Sequence, residues 1–102
     1  MVARVASFEG VNVEAAEETM DEAEKIIRPL VEKLSGYQGH LELLAQNGKV
    51  LSIVLFDSEE SAKAAEPTFD EELPRQLGEI YRDWEGRRVA VDLFKVISEL
   101  RR

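Results

Sequence analysis

The chain contains no cysteine. Disulfides, thiolate nucleophiles and cysteine-based metal sites are therefore excluded. Histidine occurs once, at His40, so a nucleophilic triad would need Ser7 or Ser52 to meet it, and no spacing argues for that. Positive charge is also scarce. Thirteen Lys and Arg stand against 21 Asp and Glu, a net charge of −8. That balance opposes nucleic acid and anionic lipid surfaces, both of which need a basic face. No apolar run approaches the ~20 residues of a membrane span. The opening MVARVASFEG lacks the apolar core of a signal peptide, and the expected location is the cytoplasm. The six glycines are scattered and form no phosphate-binding loop.

What is present is one domain's worth of alternating pattern. The 102 residues suffice for a single domain, 1–102, with one core. Residues 2–8 are rich in small and β-branched side chains and predict a strand. Met20, Ala23, Ile27, Leu30, Val31 and Leu34 recur at spacings of three and four, which predicts a helix over about 13–35. The pair Thr19 and Glu22 fits a capping box, so its regular part is expected to start there, and Pro29 is expected to kink the helix near residues 25–29. Residues 37–45 and 50–56 read as two strands around Asn47-Gly48, a hairpin signal. A three-residue loop pairs Glu42 with Ser52 and gathers Leu41, Leu43, Leu51, Ile53 and Leu55 on one face; a two-residue turn does not. Asp57 or Ser58 caps a second helix that Pro67 stops or bends. Residues 69–81 are helical again through Phe69, Leu73, Leu77, Ile80 and Tyr81. Residues 83–86 read as a loop, and 87–97 as the last strand. The order β-α-β-β-α-β predicts an α+β, ferredoxin-like domain with a four-stranded antiparallel sheet.

Helices cover only one face of such a sheet. The most apolar residues are expected to meet them: Leu41, Leu43, Leu51, Ile53, Leu55, Val89, Val91 and Leu93, with Gly39 admitting a helix closely. The other face then carries His40, Glu42, Leu44, Ser52, Val54, Phe56, Ala90, Asp92, Phe94 and Val96. It is too apolar to stay wet. A second copy of the chain is the simplest cover, since two-fold dimers are common.

Two stretches resemble a known family. LSGYQG, Leu34–Gly39, is similar to the helix-to-strand junction of dimeric α/β barrel proteins, including those of antibiotic-biosynthesis-monooxygenase type. LFDSEESAKAA, Leu55–Ala65, resembles their strand end and second-helix opening, and ARV fits strand one. The resemblance implies a homodimer with a barrel-like pair of sheets and a ligand cavity either between each sheet and its helices or within the barrel. It also implies the functions found in that family: some members are cofactor-free monooxygenases of aromatic polyketides, some open haem, and many have no known activity. The haem-opening members use an Asn on strand one and a Trp and a His on the second helical region. Here strand one offers Arg4, Ala6, Ser7 and Phe8, and His40 lies on strand two.

The candidate catalytic residues are His40, Glu42 and Asp92: an imidazole as base or hydrogen-bond donor, with a carboxylate orienting it. His40 and Glu42 share a strand face, and the plain alternative is a hydrogen-bonded polar patch in an interface. Candidate ligand contacts are Arg4, Ser52, Phe56, Phe94 and Trp84. Arg4 either anchors an anion or pairs with Glu42 or Asp92. A metal would need three converging ligands, and none is expected; nor is a cofactor. Two readings stay open: a small-molecule-binding barrel, cofactor-independent monooxygenase included, with an aromatic or apolar ligand; or a non-catalytic homodimer of structural or ligand-sensing role.

Overall fold

A computed structural model describes residues 1–101. Its elements are β1 (Val2–Glu9), α1 (Val13–Glu32), β2 (Tyr37–Leu44), β3 (Val50–Phe56), α2 (Glu59–Ala64), a π-helical turn (Thr68–Glu72), α3 (Leu73–Gln76), α4 (Gly78–Trp84) and β4 (Arg87–Lys95). The sheet is antiparallel in the order β2-β3-β1-β4. The fold is α+β and ferredoxin-like, as the pattern predicts.

Local chemistry sets the element ends. Asn12, not Thr19, caps α1: its side chain accepts from the Ala15 N–H, satisfying a donor the first turn leaves free. Thr19 lies inside the helix. Its hydroxyl donates to the Ala15 carbonyl at 2.7 Å and accepts from the Trp84 indole at 2.7 Å. The capping-box spacing was therefore met by a residue with a tertiary task. α1 runs through Pro29 to Glu32. Ser58 caps α2, and Trp84 ends α4 rather than sitting in a loop. The hairpin closes as the face argument requires. The Ala45 N–H donates to the Lys49 carbonyl, Gly48 takes φ 86°, and Glu42 pairs with Ser52.

The core sits between α1 and the second helical region. Ala23, Ile27, Leu30 and Val31 pack on Leu73 and Leu77. Val54 and Phe56 pack on Ala62 and Ala65 under α2.

On β2 and β3 the two faces are the reverse of the sequence expectation, whereas on β4 Ala90, Asp92 and Phe94 do lie on the face away from the helices. Cross-strand partners share a face. One row holds Arg4, Val54 and His40, and the next Ala6, Ser52 and Glu42. This face is under the helices: Arg4, Ala6, Val54 and Phe56 are all buried. Leu41, Ile53 and Val5 form the opposite face, with Leu43, Leu51 and Ser7 beside them. There Leu41 and Leu43 are 44% and 43% exposed. Val91 and Leu93 pair with Ala6 and Arg4, so they do lie on the helix side. They stay exposed because β4 is an edge strand.

Gly39 needs a different account too. It has φ 140°, and a Cβ there would meet nothing within 4 Å. No helix approaches it. It sits where the β2–β3 register shifts between Tyr37 and Gly39, a bulge whose backbone favours glycine.

The expectation failed because it ranked the faces by apolarity. The helix-facing side combines small and polar residues that leave room under the helices. The more apolar side is the one the helices leave bare.

Candidate functional site

The room is a cavity of about 270 Å3 between sheet and helices. Its sheet wall is Arg4, Ala6, His40, Glu42, Ser52 and Val54. Its helical wall is Ile27 and Val31 of α1 with Phe69, Leu73, Pro74 and Tyr81. Arg88 and Asp70 complete one side. A smaller space of about 110 Å3 shares Phe8, Ile27, Glu42, Ser52 and Tyr81 with it and adds Met20 and Trp84. Apolar walls with a few convergent polar groups are the usual make-up of a small-ligand site.

Glu42 is the most perturbed of these polar groups. Its pKa is pushed up to about 7, chiefly because burial penalises the carboxylate. The Ser52 hydroxyl, donating to Oε1 at 2.8 Å, and the nearby His40 pull it down; Glu24 pushes it up. Tyr81 is pushed up to about 12 by burial and then by Glu42. At neutral pH the floor of the cavity thus offers a carboxyl near its titration midpoint beside a neutral phenol.

His40 is held by other partners than expected. Tyr37 Oη lies 2.5 Å from Nδ1, and the Glu24 carboxylate oxygens lie 3.1 and 3.2 Å from Nε2. In the neutral ring, Nε2–H donates to Glu24 and Nδ1 accepts from the Tyr37 hydroxyl. Glu24 also takes the Arg28 Nε–H at 3.1 Å. The orienting carboxylate comes from α1, not from Glu42.

Arg4 is 3% exposed. Its guanidinium lies over the Phe69 ring, 4.2 Å from the centroid. Neither Glu42 nor Asp92 pairs with it. Its ion-pair contact is Asp70, at 3.8 Å from Nη2. Desolvation, and then Arg88, lower its pKa.

The structure therefore gathers Arg4, His40, Glu42 and Ser52 in one cavity and separates the remaining candidates. Asp92 pairs with Val5 and Phe94 with Ala3, on the opposite sheet face, so the trio of His40, Glu42 and Asp92 does not form. Phe56 is fully buried in the core under α2. Trp84 borders only the smaller space. Sequence reasoning missed Tyr37, Glu24, Phe69, Asp70 and Arg88. Glu24 had left a signal, standing four residues after Met20 and three before Ile27, on the edge of the apolar stripe. Asp70 and Arg88 meet only through the tertiary fold.

Among the described residues, no group of three or more His, Asp or Glu side chains could hold a metal ion, and no helix is long and apolar enough to cross a membrane. A haem does not fit these residues. Both nitrogens of the only histidine are engaged, by Tyr37 and Glu24, which leaves no imidazole for iron.

No family model matches the sequence, and no curated protein matches it. Solved structures do. A dimeric ferredoxin-like protein from an uncultured marine organism aligns over 100% of both chains at 16% identity, with a TM-score of 0.70. A proposed antibiotic biosynthesis monooxygenase from Deinococcus radiodurans aligns over 99% of this chain and 97% of its own, at 11% identity and a TM-score of 0.65. A haem degrader from Mycobacterium tuberculosis, solved with two haems in its active site, aligns over 98% and 99%, at 16% identity and a TM-score of 0.58. At such identities the likeness is one of architecture. The chain has a ferredoxin-like fold, and these solved structures share its architecture.

Proposed function

We propose that the protein binds a small aromatic or apolar molecule between sheet and helices and acts on it as a cofactor-independent monooxygenase, working as a homodimer. The observation that carries this reading is Glu42: a half-buried carboxyl, poised near pH 7, facing an apolar cavity. A base of that pKa is matched to abstracting a proton at neutral pH. The substrate would carry an acidic C–H or O–H. Glu42 takes the proton, and the substrate anion passes its electrons to dioxygen. One oxygen atom stays on the substrate carbon as a carbonyl. The other leaves as water with the two hydrogens that carbon carried, so the substrate itself is the reductant. The protein's share is to place the base, hold the anion and exclude bulk water. His40, held by Tyr37 and Glu24, is a nearby group that lowers the Glu42 pKa rather than the base.

The homodimer is supported by the bare sheet face. Leu41 and Leu43 are exposed there beside Leu51, Ile53 and Val5, and one neighbour in fold is a dimeric ferredoxin-like protein. The test is oxygen uptake with anthrone, whose activated methylene lies between two aryl rings. The expected result is one dioxygen consumed per anthraquinone formed, lost in Glu42→Gln. Should anthrone raise the melting temperature without oxygen uptake, the ligand-sensing homodimer replaces the oxygenase.

A further inference from the structure

The charge at the Arg4 end of the cavity is not balanced. Two guanidinium groups, Arg4 and Arg88, share the carboxylate of Asp70. Arg88 holds it closely, at 2.7 Å from Nη1, whereas Arg4 stands 3.8 Å away. Glu66 adds a weaker influence from a distance. Asp70 is 43% exposed, so water screens what it offers Arg4. A buried guanidinium cannot shed its proton, and it is costly without a close counter-charge. Stacking on Phe69 offsets part of that cost. Among the described residues, no side-chain nitrogen is both sealed from solvent and without a hydrogen-bond partner. Whatever donor capacity Arg4 has left is therefore accessible, and Arg4 is one of the residues that line the cavity. The chain as a whole carries −8, so an inward-facing arginine is not explained by the general charge balance.

We infer that the cavity's ligand is a small organic anion: an apolar or aromatic body lying between Ile27, Phe69 and Tyr81, with a carboxylate that Arg4 grips and Arg88 draws in at the rim. The inference rests on the pocket reading above and adds the charge of the ligand. A carboxylate matches the planar fork of a guanidinium and can take two parallel N–H donors. The volume, about 270 Å3, lies just under the ~300–1,000 Å3 usual for drug-sized ligands.

Two probes of one shape test it: 2-naphthoate, and 2-acetylnaphthalene as its neutral counterpart. Calorimetric titration of the intact chain at pH 7.5 is expected to show naphthoate binding at least tenfold tighter. In Arg4→Gln the two probes are expected to bind equally. If the variant does not fold, the wild type answers through its own nuclear magnetic resonance signal: the Arg4 Nε–H resonance is expected to shift on adding naphthoate. Equal binding of the two probes to wild type, or an Arg4 signal that naphthoate leaves in place, overturns the anion and leaves the pocket standing. If neither probe binds, the pocket reading fails and the anion with it.

Discussion

Glu42 shows how one side chain can record the state of a whole site. It pairs with Ser52 across the hairpin and is paid no full counter-charge for its burial. Its folded pKa, about 7 against an ordinary 4.5, means that the folded state holds a proton which the unfolded chain releases. Between those two values the native form binds more protons, so stability must fall as pH rises. The loss begins near pH 4.5 and is complete just above 7. From the size of the displacement it reaches at most about 3 kcal/mol. Urea unfolding of Glu42→Gln is expected to lack this component, with the variant gaining on wild type between pH 4.5 and pH 8. An equal pH dependence in both proteins would show that the carboxyl is solvated and is not the poised base proposed here. His40 makes the complementary case. Its nitrogens are satisfied by Tyr37 and Glu24, and buried polar groups normally find such partners.

Among the elements, α1 and α4 define the space above the sheet. They are joined by the Trp84 indole donating to Thr19 and by the Asn12 N–H donating to the Trp84 carbonyl at 2.7 Å. Thr19→Val keeps the shape and removes the acceptor, leaving an indole N–H without its partner. A loss of about 1–3 kcal/mol is expected. Denaturant midpoints should show it, and Trp84 fluorescence should change in the folded state. A variant as stable as wild type, with unaltered emission, would mean that this hydrogen bond does not anchor the helices. The hairpin is the opposite kind of element, since its register follows from five leucine and isoleucine positions and one left-handed glycine, all local in sequence.

For the molecule as a whole, the deciding feature is a sheet that is apolar on the side without helices. Contiguous apolar surface of this kind usually marks an interface. Ile53 lies in the middle row of that face, paired with Val5 and Leu41. Ile53→Glu is expected to yield a folded monomer in sedimentation at micromolar concentration, while wild type sediments as a dimer. A wild-type monomer under the same conditions would remove the homodimer from the proposed function. The cavity belongs to one subunit's own sheet and helices, so a monomeric variant that still binds naphthoate is consistent with the site described here.

The sequence by itself determined the order of elements, the sheet topology, the hairpin register and the helix stripes. Each of these rests on residues close in the chain, whose spacing either fits a helix or strand or does not. It also placed His40, Glu42 and Ser52 on one face with Val54, because side chains alternate along a strand whatever the strand packs against. Which way that face points was decided only by the tertiary structure. Alternation fixes two sets of residues but not which set goes under the helices, and apolarity is a poor guide when the helix-facing side is built of small and polar residues around a cavity. The same holds for the pairings Glu24–His40, Arg4–Asp70 and Thr19–Trp84. They join residues far apart in sequence, and only the packing of α1 and the second helical region over the sheet brings them within reach.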